Sequence, residues 1–223
     1  MQARNIKADY LQPCEFIRFI TTIYEVEIRS FLRLMIIEGT PYIFNEIPML
    51  YEKIRDWLAY KLGVEPLEIK LVGSARTGFS LSSPPNFGKR FNPKSDLDFA
   101  VINEELFLKC KNAFIQWKID YESGKVSPRN SNEKKYWETN KTVVIDTINR
   151  GFIDANKIPT FHSYPISKKI GNTMWLLKEK LAKSTPSIKI ERATVRVYRN
   201  WNSFHKQIEI NIKKLKEKFI NKK

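Results

Sequence analysis

The chain has 223 residues, with 39 Lys and Arg against 24 Asp and Glu, a formal net charge of +15. At 42% apolar and 13% aromatic residues it can bury a sizeable core, which argues against a disordered chain. Its longest apolar run, Leu34 to Ile37, is far below the about 20 residues that a membrane span needs. Cys14 and Cys110 supply neither a disulfide framework nor zinc-ligand spacing, and the start of the chain lacks the apolar segment of a signal peptide. A cytoplasmic chain with no membrane span is therefore expected, and its positive excess points to a phosphate-rich partner.

In chain order, Phe16, Phe19, Ile20, Ile23, Val26, Ile28 and Phe31 recur at helical spacing, and Ile43, Ile47, Leu50, Ile54, Trp57, Leu58 and Leu62 do so again before Gly63. These stripes predict N-terminal helices over about 13–62, packed on a sheet. Leu67 to Val72 reads as a strand that runs into the turn Gly73-Ser74-Ala75-Arg76-Thr77-Gly78. The proline- and serine-rich stretch from Phe79 to Ser95 reads as a functional or mobile loop. Beyond it, Asp96 to Ile102 alternates, so Asp96, Asp98 and Ala100 share one strand face. A helix carrying Leu106, Cys110, Phe114 and Trp117 follows, then a polar break from Ser123 to Lys135. Thr142 to Ile148 suits a strand or a helix, with helix preferred because Val144, Ile148, Phe152 and Ala155 align, and that helix ends before Pro159. A helix over Thr173 to Lys183, a strand over Lys189 to Tyr198 and a basic amphipathic helix over Ser203 to Lys223 complete the reading. The expected fold is α/β (α+β), one domain over 1–223: a small mixed central sheet with packed N-terminal and C-terminal helices, a motif core near 66–103 and a helical, basic region over 104–223.

Two features carry chemistry. A strand feeding a glycine turn and a helix start presents free backbone N–H groups, which together with the Ser74 hydroxyl suit a triphosphate. Two aspartates on one strand face suit Mg²⁺ bridging phosphate oxygens. The order Leu71-Val72-Gly73-Ser74-Ala75-Arg76-Thr77-Gly78 and then Ser95-Asp96-Leu97-Asp98-Phe99 resembles the Gly-Ser and Asp-x-Asp signature of the DNA polymerase beta-like nucleotidyltransferase superfamily. The likeness spans roughly residues 67 to 102. It implies the nucleotidyltransferase fold, an NTP substrate and two Mg ions, with Gly73 and Ser74 on the triphosphate and Asp96 and Asp98 as metal ligands and catalytic acids. Thr77-Gly78 is closer to the oligonucleotide-synthase branches. Arg76, Thr77, Lys89 and Arg90, in and after the turn, join Gly73 and Ser74 as nucleotide-binding candidates.

Active members of that superfamily place a third carboxylate on a neighbouring strand. Asp146 fills this catalytic role if its segment is a strand, and Glu191 is the alternative; a site with two carboxylates alone, completed by a partner or binding without turnover, is the third. The basic tail, with Lys206, Lys213, Lys214, Lys216, Lys218, Lys222 and Lys223 beside an apolar stripe, suits a polyanion. The function expected is Mg-dependent transfer of NMP from an NTP to an RNA acceptor, tRNA first, in the manner of a toxin or phage-defence enzyme, with a protein partner from the same operon as a further expectation. A linear or cyclic oligonucleotide synthase, and a degenerate module that binds RNA or a partner protein, are the alternatives.

Overall fold

A computed structural model describes residues 10–220. Four strands form one mixed sheet: β1 (Ile69–Val72), β2 (Leu97–Ile102), β3 (Phe152–Asp154) and β4 (Ala193–Tyr198), in the order β1-β2-β4-β3. β2 runs parallel to β4, with Asp98 opposite Thr194 and Ala100 opposite Arg196. The other pairs are antiparallel, Val72 facing Asp98 and Asp154 facing Arg196. Parallel neighbours need a long crossover, and the chain between β2 and β4 supplies it with helices α5 (Glu104–Glu122), α6 (Ser131–Asn149) and α7 (Pro165–Ser184), the last two before and after β3. Ahead of the sheet come α1 (Pro13–Thr22), α2 (Glu25–Leu32) and α3 (Pro48–Leu62); the one-turn α4 (Ser74–Thr77) follows β1, and α8 (Trp201–Ile220) follows β4.

Local chemistry explains the helix ends. Pro48 opens α3 and Gly63 closes it, in keeping with proline's fixed φ and glycine's tolerance of the left-handed cap. Asn103 caps α5 by accepting from the Leu106 N–H at 2.8 Å, and Asn130 caps α6 by accepting from the Glu133 N–H at 2.9 Å.

Strand alternation divides the core in two. Leu97, Phe99 and Val101 of β2 face a buried cluster with Leu58, Phe114, Trp117, Trp137 and Leu177, contributed by α3, α5, α6 and α7. Asp98, Ala100 and Ile102 point the opposite way, and there Ala100 and Ile102 pack with Phe16, Ile20, Phe31, Ile36, Phe204 and Ile212 from α1, α2, the π turn Arg33–Ile37 and α8. Each fully buried Phe or Leu contributes about 1.5–3 kcal/mol, so both faces are held firmly. The second layer covers Ala100 and Ile102 but stops short of the aspartates.

The α+β class with a small mixed sheet agrees with the sequence reading, while several boundaries move. β1 and β4 are shorter than expected because residues 66–68 form a 3-10 turn and residues 189–192 precede the paired register. The segment holding Asp146 is helical, and α6 begins at Ser131, inside the expected polar break. β3 is an additional strand where a helix was expected to continue. Among the described residues no helix is long and apolar enough to cross a membrane. Lys222 and Lys223 lie outside the described residues.

Candidate functional site

β1 ends at Val72, directly opposite Asp98, so the Gly73-Ser74 turn rises beside the Asp-x-Asp strand because of register alone. Gly73 has φ +69° and ψ −155°, a conformation almost confined to glycine, and a Cβ added there would meet Asp98 Oδ2 at 3.2 Å. Thr77 locks the turn from below, its Oγ1 donating to Phe79 O at 2.6 Å. Gly73, Ser74, Asp96 and Asp98 line a cleft of about 670 Å³.

The two aspartates differ electrostatically. Asp96, just before β2, accepts from Arg192 Nε at 2.8 Å. Asp98 accepts from Thr194 Oγ1 at 2.6 Å and has no cation bonded to it among the described residues. Burial holds its carboxyl above the usual carboxylate range; the Thr194 bond opposes this and the charge of Asp96 adds to it. A half-buried carboxylate beside a second one attracts a cation.

The next residue along the floor is basic. Arg196 of β4 bonds Asp154 of β3 through Nε at 2.6 Å and Nη2 at 3.1 Å, a bidentate pair facing the same cleft. Burial disfavours its charge, yet Asp154 and Tyr198 together outweigh that and strengthen its hold on the proton. Ser80, Ser82 and Ser83 form one rim, fixed by Phe87 packing edge-on against Phe79 and Phe219 at 5.9 and 5.1 Å between ring centres. Asn211, Ile212 and Lys214 of α8 also line the cleft. The expected loop is therefore anchored to the body of the protein by its own aromatics.

Several predicted site residues lie elsewhere. Arg76 is buried with its guanidinium turned away from the cleft, donating from Nε to Ile36 O at 3.1 Å and to the carbonyls of Thr40 and Glu38. The end of the Arg33–Ile37 π turn leaves orphan carbonyls, and a five-donor fork satisfies them. Thr77 serves the turn itself, as above, and is buried. Lys89 Nζ donates to Asn86 Oδ1 at 2.6 Å and Arg90 Nη2 to Gln12 Oε1 at 2.8 Å; both are exposed and outside the cleft lining. Asp146 stands exposed on α6, away from the cleft, because its segment is helical. Glu191 precedes β4, exposed, its backbone N–H bonded to Ser95 O at 3.0 Å. Sequence reading missed Asp154, Thr194 and the cleft position of Arg196, whose only local signal was a basic residue at mid-strand.

Asp96 and Asp98 fit one divalent cation, since Mg²⁺ is commonly held by one or two carboxylates with water and phosphate oxygens completing its shell. Among the described residues no group of three acidic, His or Cys side chains is gathered to hold metal. No family model, curated protein or solved structure matches the chain.

Proposed function

We propose that this chain is a nucleotidyltransferase of the DNA polymerase beta-like kind, transferring NMP from an NTP to an RNA acceptor, with tRNA the first candidate. The observation that carries the reading is the shared cleft: a Gly-Ser turn and two same-face aspartates, from different strands, meet beside a basic helix. Gly73 and Ser74 bind the triphosphate, the serine through its hydroxyl. Asp96 and Asp98 hold a divalent cation, which when bound neutralises phosphate charge and acidifies the attacking hydroxyl. The acceptor oxygen forms a bond to the α-phosphorus, the bond to the bridging oxygen breaks, pyrophosphate leaves, and the hydroxyl proton passes to solvent. Lys206, Lys216 and Lys218 on α8 supply positive charge for the acceptor backbone.

The test incubates the full chain with Mg²⁺ and each α-phosphate-labelled NTP, with and without tRNA, beside the D96N/D98N double variant. Label on tRNA that the variant abolishes is the expected result. Small labelled products without tRNA would replace this reading by an oligonucleotide synthase. The Arg196–Asp154 pair favours a second reading, binding without turnover, which tRNA retention with no labelled product would establish.

A further inference from the structure

We infer that Arg196 is a triphosphate-binding residue of this cleft and takes the place of a second metal ion, so that the site works with a single divalent cation. The inference rests on the reading of the cleft as an NTP site. Thr194 and Arg196 are the residues that β4 presents beside Asp98 and Ala100 on the cleft face. Neither is an acid. The remaining carboxylate on that floor, Asp154, lies one strand further on and level with Ala100. At about 4.8 Å between strands and about 3.3 Å per residue, its Cα is about 12 Å from that of Asp98, against about 8 Å for Arg196.

Asp154 therefore lies too far out to share an ion with Asp98 when both side chains rise from the same face. Its two oxygens are already engaged by Arg196. A second cation between them would have to displace a guanidinium that is bound bidentately, an arrangement that resists exchange. The guanidinium itself supplies what such a cation would: fixed positive charge and N–H donors suited to phosphate oxygens. Two of its five donors are used on Asp154 and a further hydrogen bond goes to Tyr198, which leaves N–H groups for phosphate, and its side chain is 37% exposed, so it is reachable from the cleft. Lys214 of α8 also lines the cleft and adds positive charge. Asp154 is a positioning residue that aims the fork.

The experiment uses the full chain with Mn²⁺ in place of Mg²⁺ and a non-transferable α,β-methylene NTP analogue, counting protein-bound Mn²⁺ by electron paramagnetic resonance at analogue saturation. One ion per chain is expected, and two would overturn the inference while leaving the nucleotidyl-transfer reading intact. Failure of the wild-type chain to retain the analogue would overturn both. Arg196→Met is expected to weaken analogue binding on the order of tenfold to a hundredfold with the ion count unchanged, and unchanged affinity would overturn the inference. Asp154→Asn keeps the count at one, whereas loss of an ion would make Asp154 a metal ligand and overturn it. Circular dichroism checks the fold of each variant, and Arg196→Lys, which keeps the charge without the fork, is expected to fall between Arg196→Met and wild type.

Discussion

Gly73→Ala probes the contact on which the cleft is built. The glycine sits at φ +69° and ψ −155°, where a residue with a Cβ incurs about 1–3 kcal/mol of backbone strain. The added methyl would also lie 3.2 Å from Asp98 Oδ2, and that carboxylate cannot retreat without loosening its 2.6 Å bond from Thr194 Oγ1. Taking about 2 kcal/mol for the strain, a chain of this size loses about 4–8 °C of Tm. Gly124→Ala is the control: its φ is +75° but nothing lies within 4 Å of the new methyl, so it carries about 1–2 kcal/mol of strain without touching the cleft. Thermal unfolding and binding of the non-transferable NTP analogue are measured on both. Only Gly73→Ala is expected to lose analogue affinity, while both lose stability. Wild-type Tm and affinity in Gly73→Ala would refute the reasoning outright, and a lower Tm with intact affinity would reduce the turn to a structural element.

Arg76→Met strips several buried carbonyls of their donor and is expected to lose about 3 kcal/mol or more in urea unfolding, while the folded protein keeps its analogue affinity; the opposite pattern would restore Arg76 as a phosphate ligand. For Asp98, burial raises the folded-state pKa above the unfolded value, so the folded chain binds more protons in that window and stability falls as pH rises through it. D98N is accordingly expected to be more stable than wild type at neutral pH, with a flatter stability profile across the acidic range, and a steeper profile would contradict the assignment. Replacing Lys206, Lys216 and Lys218 with Ala should flatten the dependence of log affinity for tRNA on log salt by about 2 if all three contact single-stranded phosphates. An unchanged slope in filter binding would move the RNA surface elsewhere.

What could be read from the sequence was local. The alternation from Asp96 to Ile102 and the strand-glycine-serine order are short-range patterns, and the register of β1 on β2 then juxtaposes them. Arg76 misled because adjacency in a motif says nothing about side-chain direction; its partners lie about 40 residues upstream, on and just after a π turn with no sequence signal of its own. β3 escaped because three residues, Phe152–Asp154, are too few to display a period and continue the apolar spacing of α6. With β3 hidden, Asp154 had no strand to stand on, and Arg196 at mid-strand gave no sign of its partner. Lys214 was recognised as one of several tail lysines, but its place at the cleft depends on how α8 crosses the sheet.

That crossing also governs the order in which the molecule can be made. Arg29 of α2 pairs with Glu209 of α8 across 180 residues at 2.6 Å, and α1 packs against the same helix. β4, which lies between β2 and β3, is likewise a late segment. During synthesis the apolar sides of α1 and α2 therefore emerge long before the surfaces that cover them, and β2 waits with an open edge until β4 arrives. Such non-local closure slows folding and prolongs exposure of sticky intermediates. Premature termination anywhere before α8 would leave a chain with half its interior uncovered, a substrate for chaperones and proteases in place of a smaller working protein.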